Sequence, residues 1–184
     1  MPSGKTHDRI TLWSLPGIVL ITIFLTGSGE LTLIVAGAFL FSGLMFGPDL
    51  DIYSIQFKRW GYLRRIWLPY RKWMSHRSVF SHGIIVGTIG RLLYLGSLIT
   101  LVAIIVIAIA QLIWGFTWNW QTFVTQLFKQ IFSVYPQEAI ALLVGLELGS
   151  LSHSLSDWIV SAYKRRQKKV KVKSPPRRRK KTKK

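Results

Sequence analysis

The chain has 184 residues, 49% of them hydrophobic, and a mean hydropathy of +0.31, yet it carries a formal net charge of +18. That pairing excludes an ordinary soluble domain and points to a membrane protein with segregated charge. No cysteine is present, so disulfides and thiolate ligands are excluded.

Four apolar segments follow in chain order. Leu12 to Leu25 is 14 residues and Leu31 to Phe46 is 16, both short of the ~20 a helix needs to cross a hydrocarbon core of ~30 Å. They read as two thin spans or as one re-entrant helical hairpin broken at Thr26-Gly27-Ser28-Gly29. Lys5 and Arg9 before the first segment outline a signal peptide, but no good A-x-A-like site follows it. Leu92 to Trp114 is 23 residues, with its helical pattern beginning near His82, and Ala139 to Val160 is 22. The expected fold is all-α: a polytopic membrane bundle of about four transmembrane or re-entrant helices. Residues 1–163 form this domain. Residues 164–184, holding fourteen of the twenty-five Lys and Arg, form a disordered polybasic tail.

The positive-inside rule sets the orientation. The connection from Gly47 to Ser81 carries Lys58, Arg59, Arg64, Arg65, Arg71, Lys72 and Arg77, whereas that from Gly115 to Gln137 carries only Lys129. An integral membrane protein with both termini cytoplasmic is expected.

Histidine and aspartate are sorted by this topology. All four histidines and all four aspartates fall in His7-Asp8, Pro48-Asp49-Leu50-Asp51, His76 to His82 and His153 to Asp157. Each cluster lies at the cytoplasmic end of a segment, while Glu30 and Glu138 lie at the opposite ends. Taken singly, each reads as capping or turn chemistry; together they are the vocabulary of a metal site. Imidazole and carboxylate without sulfur suit a divalent metal, zinc favoured, with manganese or iron as alternatives.

Local geometry adds detail. Pro48 ends the second helix, and an extended Asp-x-Asp beyond it would point both carboxylates the same way. His153 and Asp157 share a helical face, and Gly145 and Gly149 continue their ridge. Gly83, Gly87 and Arg91 repeat the spacing, so the third and fourth long helices are expected to pack along these glycines. His76 belongs in the loop and His82 in the first turn of the third helix. Glu147 reads equally as an internal partner of Arg91 or as part of the metal site. The Trp and Tyr residues read mainly as interfacial anchors, above all Trp114, Trp118, Trp120 and Trp158.

Met1 to Ile10, Gly47-Pro48-Asp49-Leu50-Asp51, His76-Arg77 to Ser81-His82 and His153 to Asp157 resemble an uncharacterised family of integral-membrane proteins labelled metal-binding. More distantly, the Pro-Asp-x-Asp, His-Arg-x-x-x-Ser-His and His-x-x-x-Asp arrangement is similar to that of LexA-binding, inner-membrane-associated metal-dependent hydrolases. The likeness covers residues 1 to about 163. A looser similarity of layout to zinc-dependent phospholipase C would suggest phosphoester chemistry.

The expected metal ligands are His7, Asp49, Asp51, His76, His82, His153 and Asp157. Asp8 is a candidate catalytic residue, a ligand or an orienter of His7. Arg77, with Arg91, is a candidate clamp for an anionic substrate. Three functions stay open: a metal-dependent hydrolase of phosphoesters at the cytoplasmic face, a metal-binding scaffold or regulator holding a protein partner, and an ion transporter. The tail is expected to rest on anionic lipid head groups. No aromatic residue interleaves after Tyr163, so sequence readout of nucleic acid is not expected.

Overall fold

A computed structural model describes residues 4–76 and 78–173. The described residues form helices joined by short turns: α1 (Gly4–Thr26), α2 (Gly29–Leu44), α3 (Ile55–Arg59), α4 (Leu68–Trp73), α5 (Val79–His82), α6 (Val86–Trp114), α7 (Trp120–Lys129) and α8 (Pro136–Lys173). Four helical stretches among them are long and apolar enough to cross a membrane: Gly4–Thr26, Gly29–Asp51, Val86–Trp114 and Pro136–Gln167.

The first span is longer than its apolar segment implies. Helix α1 begins at Gly4, ahead of Leu12, and its 23 residues reach ~34 Å at 1.5 Å per residue. His7 therefore lies inside α1, on a turn that projects beyond the apolar stretch. Gly27, at a φ of 62° that a side chain would disfavour, stops the helix, and the Ser28 hydroxyl accepts the Leu31 N–H to start α2. The link is so short that α1 and α2 fold back as an antiparallel pair.

Helix α2 lies chiefly against α8, with α1 covering both. The expectation that the glycines of the third and fourth long helices face each other is not met. A methyl at Gly145 would stand 2.5 Å from the Val35 carbonyl oxygen, and one at Gly149 would stand 2.5 Å from that of Phe39 and 2.7 Å from Ser42 Cβ. The small-residue ridge of α8 thus receives α2. Backbone approach without a Cβ is what brings Asp49, just past α2, next to His153 and Asp157 on α8.

Between α2 and α6 the chain builds a layer of short helices with its own core. Phe46, Leu50, Phe57, Trp67 and Tyr70 are almost fully buried there. Trp67 packs edge-on against Phe46, Trp60 and Tyr70. Trp67 and Tyr70 are therefore core residues and not interfacial anchors. The connection from Gly115 to Gln137 also folds, forming α7, whose side chains are exposed and include Trp120, Phe123 and Phe128. Glu30 and Glu138 occupy the first turns of α2 and α8, where a carboxylate complements the positive end of the helix dipole. Helix α8 runs past Tyr163 to Lys173, so residues 164–173, expected to be disordered, are helical, with no Gly or Pro among them to interrupt the helix. The remainder of the tail, 174–184, lies outside the described residues.

Candidate metal centre

Helix α1 carries His7 against α8. Its ring stacks on that of His153 with centroids 3.8 Å apart, and its Nε2 stands 3.4 Å from Asp157 Oδ1. His7 Nδ1 is 2.6 Å from the Ser156 hydroxyl, which donates its hydrogen to the His153 carbonyl at 2.8 Å. A hydroxyl has one hydrogen, so the remaining contact is an N–H of His7 donated to Ser156 Oγ. His7 is thereby held with Nε2 bare and turned toward Asp157.

The aspartate pair departs from the extended geometry the sequence suggests. Pro48–Asp51 is a turn of 3₁₀ helix, entered through Pro48, so its two carboxylates diverge. Asp49 reaches two ways: Oδ2 lies 3.3 Å from His153 Nε2 and Oδ1 lies 3.7 Å from His82 Nε2. The Asp51 side chain is fully buried and turns to His76, with its oxygens 3.0 and 3.2 Å from Nδ1. It also lies 3.8 Å from His82 Nδ1.

His76 sits in the turn between α4 and α5, as its sequence position implies, but His82 does not open the third long helix. It ends the short helix α5, and Gly83-Ile84-Ile85 breaks the path to α6. Ile85 takes a φ of 66°, unusual for a β-branched residue, and its N–H is accepted by Glu147 Oε1 at 2.9 Å. The break lets the chain fold back, so His82 meets the aspartates instead of standing a helix turn or more above them. Ser81 Oγ lies 2.9 Å from His82 Nδ1.

Arg91 is fully buried beneath this corner. It donates to the Ser81 carbonyl, Thr88 Oγ1 and Ser150 Oγ at 2.9, 3.0 and 2.9 Å. The guanidinium thus fixes the strand of backbone before His82 and is spent on that task, so it is not a substrate clamp. Glu147 is hydrogen-bonded to Ile85, not to Arg91. Burial, opposed by the nearby Arg91 charge, raises the Tyr70 phenol above its ordinary value and keeps it neutral.

These contacts bring the four sequence clusters together into two adjoining groups. His7, His153 and Asp157 form one, and Asp49, His76 and His82 the other; within each, one donor atom per residue lies within 4.8 Å of the rest. Among the described residues, His76 Nε2, His82 Nε2, both ring nitrogens of His153 and Asp49 Oδ1 are buried without a hydrogen-bond partner. Orphaned nitrogens converging on carboxylates are costly unless a cation joins them. The donor set, nitrogen and oxygen without sulfur, fits a divalent ion.

Residues 2–167 match the family described as "Uncharacterized metal-binding protein (DUF2227)". The chain belongs to this family. No curated protein and no solved structure matches it. The family match covers α1 through the interior of α8, so every residue of both groups lies within it.

An open cavity of ≈ 260 Å³ adjoins the centre, lined by His7, Asp8, Asp49, His153 and Asp157 on one side and by Tyr53, Gln56 and Lys58 on the other. Asp8 lines it too, but its carboxylate is bound by both terminal nitrogens of Arg59, at 2.9 and 2.5 Å. Arg59 also donates to the Leu44 carbonyl, tying α1 to the end of α2. Arg77 lies outside the described residues. Sequence reasoning missed Arg59, Ser81 and Ser156. The serines had a legible signal, each lying within the His-containing motifs, one beside His82 and one beside Asp157.

Proposed function

We propose that the chain is an integral-membrane, metal-dependent phosphoester hydrolase with a two-ion centre at the cytoplasmic membrane face. The observation that carries the reading is Asp49, whose two oxygens face the imidazoles of different groups, His153 and His82. His7, His153 and Asp157 would hold one ion and His76 and His82 the other, with Asp49 shared. Divalent ions held there would acidify water and offset charge growing on a phosphoryl oxygen. Zinc suits the nitrogen-rich donor set best, with manganese or iron as alternatives.

The chain's own residues prepare this chemistry. Ser156 holds His7 in its Nδ1–H form, and Asp51 accepts a hydrogen bond from the Nδ1–H of His76, leaving Nε2 bare in both. Asp51 thus acts as an orienter more than a ligand. Lys58, with its Nζ 4.8 Å from the Tyr53 ring centroid, stands at the cavity wall as a counter-charge for an anion. Asp8, paired with Arg59, positions the start of α1 and with it His7. Basic residues in the α2–α6 connection and after α8 put this face, and both termini, in the cytoplasm. The basic end of α8 and the tail beyond it are suited to anionic lipid head groups.

The test is turnover of a phosphomonoester and a phosphodiester by detergent-purified protein loaded with zinc or manganese, beside a His82→Ala, His153→Ala variant. Metal-dependent hydrolysis lost in the variant supports the reading. Full metal content with no turnover of either substrate refutes it and favours a metal-stabilised scaffold holding a protein partner.

A further inference from the structure

A second concavity runs down the membrane-facing side of the bundle. It is a groove of ≈ 400 Å³ between α1 and α8, walled by Ile10, Ser14 and Ile18 on one helix and by Leu148, Leu155 and Ser156 on the other, with Phe39 at its floor. His7, Ile10, Ser14 and Ile18 recur at spacings of three and four, so the groove continues the helix face that carries the metal ligand His7. Ser156, on its α8 wall, is the same residue that hydrogen-bonds His7, so the groove and the metal-ligand cavity lie on either side of that contact.

The dimensions fit one kind of occupant. From Leu148 to Val160 the α8 wall of the groove advances ~18 Å at 1.5 Å per residue. One leaflet of a ~30 Å hydrocarbon core is about the same depth. The lining is apolar apart from serines, whereas the neighbouring cavity is lined by His, Asp and Lys58. An apolar slot about one leaflet deep, beside a polar cavity whose His and Asp side chains fit a divalent cation and whose wall carries Lys58, matches an amphiphile with a phosphate at its head.

We infer that the α1–α8 groove holds an acyl chain of a glycerophospholipid from the cytoplasmic leaflet, with its head-group phosphate in the His/Asp cavity beside Lys58. This rests on the hydrolase reading for its consequence, namely that the phosphoester cleaved is a membrane lipid, but the binding itself does not require turnover.

The experiment uses the full chain in phosphatidylcholine nanodiscs doped with phosphatidic acid that carries a photoreactive diazirine on one acyl chain. Cross-links are mapped by peptide mass spectrometry. Labelling is expected to concentrate on the Ile10 to Ile18 and Leu148 to Ile159 faces and to be displaced by unlabelled phosphatidic acid. Ser14→Phe, which fills the groove away from the ligands, should cut labelling about tenfold, the equivalent of roughly two lost buried methylenes, at unchanged metal content. If that variant loses metal through misfolding, Ile18→Trp at the deep end takes its place. Even labelling of the exposed faces of α1, α6 and α8, undiminished by filling the groove or by unlabelled phosphatidic acid, would overturn the lipid site. A selectively labelled protein that cleaves nothing contradicts the hydrolase reading alone. Turnover of a soluble phosphoester by an evenly labelled one contradicts the lipid site alone.

Discussion

Ser156→Ala removes one oxygen and should loosen the metal. The Ser156 hydroxyl accepts from His7 Nδ1 at 2.6 Å while donating to the His153 carbonyl at 2.8 Å, which fixes His7 in the form that presents Nε2. Without it, a buried N–H loses its partner at a cost of about 1–3 kcal/mol, and the ring is free to turn or change tautomer. Loss of such an outer partner typically weakens metal binding about 10–100-fold, or roughly 1.4–2.7 kcal/mol. Ser156→Thr keeps the hydroxyl, and in a helix its Oγ can still bond the carbonyl three residues back. It should therefore restore most of the affinity. The assay is competition against a chromogenic chelator with zinc, in detergent, paired with thermal unfolding of the metal-free protein to show that the fold persists. Unchanged zinc affinity in a folded Ser156→Ala protein would refute the assignment of His7 as a ligand held through this serine.

Other substitutions probe the frame around the centre. Gly149→Ala puts a methyl 2.5 Å from the Phe39 carbonyl oxygen, so α2 and α8 must part; a loss of about 1–3 kcal/mol in unfolding free energy and reduced metal content are expected, whereas Gly17→Ala, with open space around it, should change neither. Arg91→Lys cannot reproduce the fork that joins Ser81, Thr88 and Ser150, and should lower both melting temperature and metal affinity through His82. Asp8→Asn breaks a partly exposed pair with Arg59 that tethers the start of α1, and should cost no more than ~1 kcal/mol with only a small loss of metal affinity; complete loss of metal from a folded Asp8→Asn protein would make Asp8 a ligand. Because imidazoles bind metal only when neutral, bound metal should fall as the pH is lowered, with proton uptake on release.

Much of this arrangement is legible in the sequence because the bilayer restricts the choices. Charge bias and four apolar segments suffice to expect helices with His7, Asp49, His76, His82, His153 and Asp157 gathered at one end. Their lengths are less legible, since α1 projects beyond its apolar stretch and takes His7 with it. The partner of the Gly145 and Gly149 ridge is not legible either: small residues announce a close approach without naming the helix that makes it, and α2 has its own small residues at Ala38, Ser42 and Gly43. The break at Gly83 to Ile85 is a tertiary effect. Nothing local demands a positive φ at Ile85; the Glu147 carboxylate, distant in sequence, accepts its N–H. The buried layer around Phe57, Trp67 and Tyr70 is hidden because aromatics among arginines look the same in sequence whether they face lipid head groups or one another.

The central claim is that sequence-distant clusters make one composite centre. Elemental analysis of detergent-purified protein beside the double variant His82→Ala, His153→Ala tests it most directly, since these residues come from different groups and are joined through Asp49. The account predicts about two metal equivalents in the wild type, as in other two-ion sites, and close to none in the variant. Equal, negligible metal in both after reconstitution with zinc and manganese would contradict it.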